Sequence, residues 1–255
     1  MPHIPRKLLL VLLLLLAPAL QAFEQQPGRP ALHVVYFQDY PPLSSGAGDK
    51  VHGALIDLLD EVLGKRMGVA LQHGGYPWVR AQRMVRDGQA DAFVTLHTRE
   101  RQTYTLASQE SVFASEMRFY ASRKHPELAR LQGLTTLEQF RPYRMAYYLG
   151  AGWAREKLHG FKTTRYPLAS DMYRAAATLQ VDFVGDAALH ARRAIRELAL
   201  DGELIELPIR VDTLHYRLCI RKDSPYAALL PEFDRTLRAM RADGSLAAIL
   251  ARHGL

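Results

Sequence analysis

The stretch "ADAFVTLHTRERQTYTLAS", residues 90–108, decides how the chain is read. It begins as a buried strand, with Ala92, Phe93 and Val94 in an apolar run. It then turns polar and presents Arg99, Glu100 and Arg101 in quick succession. In open α/β sheets, ligands bind just beyond the carboxyl ends of the strands. If this strand belongs to such a sheet, it carries an arginine to the mouth of a cleft.

The flanking segments supply the sheet. "ALHVVYF" (31–37) reads as a strand, and "GALIDLLDEVLGKRMG" (53–68) has Leu55, Leu58, Leu59, Val62 and Leu63 at helical spacing. "VALQH" (69–73) returns to strand, and "WVRAQRMVRDG" (78–88) reads as a helix closed by Gly88. Strand, helix, strand, helix, strand implies parallel pairing with helices on the faces of the sheet. The pattern then restarts. Thr135 and Glu138 stand at capping-box spacing ahead of "YRMAYYLG" (143–150), and further strands are expected at 161–167, 181–186, 202–208 and 213–221. Helices are expected at 153–160, 169–180 and 187–200, and two more close the chain on either side of Gly244.

The strand ends gather polar and aromatic groups: Tyr40 and Ser44 after the first strand, Tyr76 and Trp78 after the second, and Thr95, His97 and Arg101 after the third. In the second unit, Gly150 to Trp153 and Asp186 occupy equivalent places.

The N-terminus bounds the compartment. "MPHIPRKLLLVLLLLLAPALQA" has a short basic start, an apolar run from Leu8 to Leu16 and a small-residue end, the layout of a cleavable secretory signal peptide over residues 1–22. Cleavage is expected after Ala22, with Ala19 as the alternative point and an uncleaved anchor as the alternative reading. No cysteine follows the run to carry lipid, and the single Cys219 excludes an internal disulfide. Loss of Arg6 and Lys7 with the leader lowers the net charge from +7 to +5. The basic residues are dispersed, and the densest group, Arg192, Arg193 and Arg196, reads as a solvated helix face. Export and dispersed charge argue against a nucleic-acid partner.

The segments "YPPLS…GALIDLLDEVLGKRMG", "DAFVTLHTRERQTYTLAS", "VDFVGDAAL" and "EFDRTLRAMRADGSLAAILARHG" resemble the bacterial extracellular solute-binding proteins of family 3, the periplasmic receptors of polar amino-acid uptake. The resemblance implies an α/β periplasmic-binding-protein fold of type II, two lobes joined by two crossing strands. The first lobe would be discontinuous, 23–120 plus 217–255, and the second would be 121–216. The crossings would fall in "MRFYASR" and "TLHYRLC".

The resemblance also assigns roles. Arg101 matches the arginine that binds a ligand α-carboxylate, where a guanidinium donates two parallel hydrogen bonds. Asp186 matches the residue that binds the α-ammonium, and is also placed to cap the helix that follows it. Tyr40 matches the aromatic that covers the ligand. Trp78 stands where a side-chain contact is often found, with a core position as its alternative. Thr95, His97, Gly150, Gly152 and Trp153 complete the expected ligand-binding set. The chain departs from the family where hydroxyls are usual: His97 replaces one after the third strand, and "GAGW" (150–153) supplies none. Backbone N–H groups there can still receive an anion.

The implied function is a non-catalytic, monomeric periplasmic receptor for an amino acid or organic acid. It would need no cofactor and no metal, and it would feed an ABC-type permease complex through hinge closure. Two alternatives come from other classes: a dehydratase-like enzyme on the same fold, with Glu110 or Glu116 as general acid, or a receptor that reports to a signalling partner. Motifs for nucleophile-elbow hydrolysis, zinc proteolysis and phosphate loops are absent.

Overall fold

Every residue of "LHVVYF" except His33 is buried, and a strand with no face for water lies inside a sheet that is covered on both sides. These residues form β1 (Leu32–Phe37) of a computed structural model that describes residues 30–255. The expected leader and its cleavage point lie outside the described residues.

Two short strands, β2 (Asp39–Tyr40) and β3 (Ser44–Ser45), precede α1 (Ala54–Leu59). The single helix expected over 53–68 divides, because α1 continues as a wider π-helical segment over Asp60–Arg66. Next come β4 (Leu71–Tyr76), α2 (Trp78–Arg86), β5 (Ala92–Leu96), the one-turn α3 (Arg99–Gln102) and β6 (Thr105–Ala107). A long strand, β7 (Phe113–Ser122), leads into α4 (Leu128–Gln132), a 3-10 turn at Leu137–Phe140, β8 (Arg144–Tyr148) and α5 (Gly152–Lys157). Then follow β9 (Lys162–Tyr166), α6 (Ala169–Ala177), β10 (Phe183–Ala187), α7 (Ala188–Glu197) and β11 (Leu204–Glu206). The second long strand, β12 (Thr213–Arg221), returns the chain to a 3-10 turn at Ala227–Leu229, α8 (Leu230–Ala242) and α9 (Ser245–Arg252).

The capping box forms one residue later than expected. Gln139, not Glu138, reaches back to the backbone N–H groups of Thr135 (2.8 Å) and Thr136 (3.1 Å). Glu138 is drawn instead to the guanidinium of Arg141 one turn on.

Hydrogen bonding orders the strands β4-β1-β5-β12-β7-β10-β8-β9, with β6 on β12 and β11 on β7. Pairing is parallel among β4, β1 and β5, and again among β10, β8 and β9. It is antiparallel wherever β7 or β12 takes part. The architecture is therefore two-lobed, with each half-sheet completed by a strand that also belongs to the connection. Thr213–Tyr216 pair with Phe113–Glu116, after which β12 follows β5 and β7 follows β10. The mutual pairing on β7 thus lies just before the expected "MRFYASR", which pairs with β10 instead. The seam between the lobes lies beside this crossing, at the carboxyl ends of β1, β4 and β5.

The second lobe is packed around rings. Phe183 is fully buried and meets Phe140 edge-on, with centroids 4.5 Å apart, and Phe119 at 6.0 Å. Truncating such a ring leaves a cavity that its aromatic neighbours cannot fill. Phe183→Ala is expected to cost about 3–5 kcal/mol in urea unfolding. A loss below ~1 kcal/mol would mean that this ring cluster does not hold the lobe.

Candidate functional site

Three side chains of the first lobe, two from α2 and one from α3, build the seam. Trp78 and Gln82 are four apart on α2, so both side chains point the same way, and Arg101 comes from α3 beside them. All three donate to one acceptor on the opposite lobe, the carbonyl oxygen of Gly150: Trp78 Nε1–H at 3.1 Å, Gln82 Nε2–H at 3.3 Å and Arg101 Nη2–H at 3.2 Å. Gly150 has φ +85°, a conformation that disfavours side chains, and a Cβ there would stand 2.5 Å from Gln82 Nε2. Glycine is required at this position on both counts.

Arg101 is 1% exposed. Its Nε–H and an Nη2–H donate to Gln82 Oε1 (3.3 and 3.0 Å), and Nη1–H donates to the Leu96 carbonyl (2.8 Å). Its guanidinium also lies 5.3 Å from the Trp78 ring centre. Every acceptor it touches is neutral, and burial pulls its pKa below the ordinary arginine value. Gly152 faces it so closely that a Cβ would come within 3.0 Å of Nη1. Thr98, packed against the same glycine, has its hydroxyl buried without a hydrogen-bond partner among the described residues.

Asp186 closes the other side. Its carboxylate accepts from Tyr40 OH across the seam (3.0 Å), from Tyr173 OH (2.8 Å) and from the Ala187 backbone N–H (2.7 Å). The last bond is local, but α7 receives no side-chain cap, so the expected capping role is not the one Asp186 takes. His190, one turn further, stacks on the Tyr40 ring at 3.9 Å and donates from Nδ1 to the Pro41 carbonyl (2.8 Å). Its Nε2 lies 3.6 Å from Asp186 Oδ2. Burial, and then the Asp186 charge, push the hydroxyls of Tyr40, Tyr148 and Tyr173 well above the usual phenol value, so all three are neutral donors.

Of the residues named from the sequence, Arg101, Asp186, Tyr40, Trp78, Thr95, Gly152 and Trp153 line one enclosed cavity. Gly150 contributes its carbonyl to the seam. His97 does not reach the cavity: its Nε2 lies 3.3 Å from the Thr105 carbonyl, and burial lowers its pKa. Sequence reasoning missed Gln82, Tyr148, Tyr173, His190 and Tyr216. Two of these carried a signal, since Gln82 follows Trp78 by four residues and His190 follows Asp186 by four. The cavity measures about 40 Å³, counted as space open to the centre of a water-sized sphere. At ~10–15 Å³ per water in that measure, it holds a few waters.

A family model described as bacterial extracellular solute-binding proteins, family 3, matches residues 32–255. None of the curated proteins matches in sequence. Among solved structures, a histidine kinase sensor domain with similarity to periplasmic binding proteins superposes with a TM-score of 0.74 at 20% identity, over 88% of this chain and 96% of that one. The P235GK mutant of ArgBP from T. maritima gives 0.71 at 18%, over 88% and 94%. The arginine-, lysine-, histidine-binding protein ArtJ from Geobacillus stearothermophilus gives 0.71 at 16%, over 88% and 95%. At these identities the likeness is one of fold.

The Gly150 contact is open to a direct test. Gly150→Ala adds a left-handed strain of about 1–2 kcal/mol and a clash with Gln82. The variant is expected to show a lower melting temperature and a larger radius of gyration in solution scattering. An unchanged radius would mean that this carbonyl does not hold the lobes together.

Proposed function

The chain belongs to the bacterial extracellular solute-binding proteins, family 3, and on that premise we propose that it is an exported receptor for a small zwitterion. The ligand class proposed is an amino acid or close relative, held between the lobes by hinge closure. The lobes divide as 23–120 with 217–255, and 121–216, after removal of the 1–22 leader in the periplasm. Binding proteins for arginine, lysine and histidine share the fold, which makes cationic amino acids the first candidates.

One observation carries the reading: two of the bonds that cross the seam each imitate one end of such a ligand. The Gly150 carbonyl occupies Arg101 as a carboxylate oxygen would. When it withdraws, Nη1 and Nη2 each have one N–H left, the donor complement of a bidentate carboxylate. The Tyr40 hydroxyl occupies Asp186 as an ammonium N–H would. When it withdraws, the carboxylate keeps Tyr173 and Ala187 and regains an acceptor site. Trp78, Tyr148 and Trp153 would cover the rest of the ligand. A ligand that touches both lobes shifts the population towards closure.

The enzyme alternative draws no support from the cavity. Glu110 is paired with Arg238 and Arg241, Glu116 is paired with Arg118 and Arg210, and neither lines it. The partner that reads closure is proposed to be an ABC-type permease. The likeness to a kinase sensor domain favours, as a second reading, a membrane signalling partner for the same closure. Among the described residues, no helix is long and apolar enough to cross a membrane.

A thermal-shift screen of the mature protein against amino acids, polyamines and small organic acids tests the ligand class, since a ligand of the native state raises the melting temperature by mass action. For the ligand found, Arg101→Ala is expected to weaken binding by about 2–5 kcal/mol in calorimetry, because one charge then stays buried and unpaired. Wild-type affinity in that variant would remove Arg101 as the anchor. Asp186→Asn is expected to reduce binding of the amino acid more than binding of its deaminated acid, and equal losses would make Asp186 a structural residue only.

A further inference from the structure

We infer that the seam carries a second, separate site, for a small polycarboxylate, in the groove on the outer side of the Gln82–Gly150 contact. This groove measures about 240 Å³ as space open to the centre of a water-sized sphere, room for a small organic ion rather than a few waters. Both lobes line it. Arg83 and Arg86 come from α2, and Arg155 and Arg165 come from α5 and β9 on the opposite side.

The charges do not balance. Arg155 is paired with Glu100 within the groove, and Arg86 with Asp87. Among the described residues Arg165 has no carboxylate, hydrogen-bond or ring partner, and Arg83 has only the nearby charge of Asp87, which Arg86 already holds; the two stand on opposite sides of the seam. Two unpaired guanidiniums facing one groove repel each other weakly, and a dianion between them turns that repulsion into two charge-assisted pairs. Leu149 (36% exposed), Val79 (42% exposed), Tyr104 and Tyr147 supply apolar surface beside the cations. A carbon skeleton carrying two or three carboxylates uses both the charge and the apolar wall, whereas inorganic phosphate uses only the charge.

The site is distinct from the cavity that holds Arg101. The two share a wall: Gln82 and Gly150 line the outer groove, and both bond Arg101 on the inner side. A polyanion that joins α2 to β9 therefore favours the same closed arrangement as a ligand in the cavity. It would act as an effector of closure, whatever the cavity binds.

The test is calorimetric titration of the mature protein with citrate near neutral pH, at fixed low ionic strength. Citrate is expected to bind at concentrations of about 0.1–1 mM. The double substitution Arg83→Gln with Arg165→Gln, at two exposed positions, is expected to weaken it at least about tenfold while circular dichroism and melting temperature stay unchanged. No heat of binding up to ~10 mM citrate would overturn the proposal. So would a double variant that binds like wild type, which would place citrate elsewhere on the molecule. Inorganic phosphate that binds as tightly as citrate would overturn the polycarboxylate assignment.

Discussion

One carbonyl oxygen, that of Gly150, receives the donors of Trp78, Gln82 and Arg101 from across the seam. The arrangement of the lobes depends on this convergence. Three hydrogen bonds to one oxygen exceed its two lone pairs, so the bonds share the acceptor and none is at full strength. The contact is therefore specific in position and modest in energy. That combination would suit the proposed hinge closure, because a latch worth about 1 kcal/mol per bond could be exchanged for a ligand's bonds without a large barrier. The local chain follows from the same need. Gly150 has to adopt a left-handed backbone to turn its carbonyl onto α2, and Gly152 has to lack a side chain so that Arg101 can lie against α5.

Much of this was legible before any coordinates. The alternation of buried strands and amphipathic helices gave the α/β class, and the rule that ligands gather at strand carboxyl ends put Tyr40, Trp78, Thr95 and Arg101 in one place. Both work because they rest on local periodicity and on the direction of the chain. Thr95 lines the cavity and His97 does not. Neighbouring positions beyond a strand end are not equivalent, and the turn into α3 sends His97 towards the Thr105 carbonyl. The division of the helix at 53–68 was also invisible, since a π-helical segment keeps the same apolar residues buried with a different hydrogen-bond ring.

The site's remaining members depend on long-range pairing that no short window contains. Tyr216 lies on a crossing strand, and its place beside Tyr40 (hydroxyls 3.2 Å apart) exists only because β12 sits between β5 and β7. Tyr173 reaches Asp186 from α6, thirteen residues earlier in sequence. Each is an ordinary aromatic in its own segment. The assembled sheet gathers them with Tyr40 beside one carboxylate, and burial keeps all three protonated.

The asymmetry between the two anchors bears on affinity. Asp186 is a buried anion held by three donors, close to the full acceptance of a carboxylate. Arg101 is a buried cation surrounded only by neutral oxygens. A guanidinium taken out of water with neutral acceptors recovers part of its hydration but none of its charge compensation. The deficit is present in the closed protein and is relieved when an anion replaces the Gly150 carbonyl. Exchange of one neutral oxygen for a charged one is thus favourable at Arg101, while at Asp186 a tyrosine hydroxyl is exchanged for an ammonium against an acceptor already well served. For the proposed zwitterion, the carboxylate end should therefore contribute more to binding than the ammonium end, because only Arg101 gains a charge partner that it lacks in the closed protein.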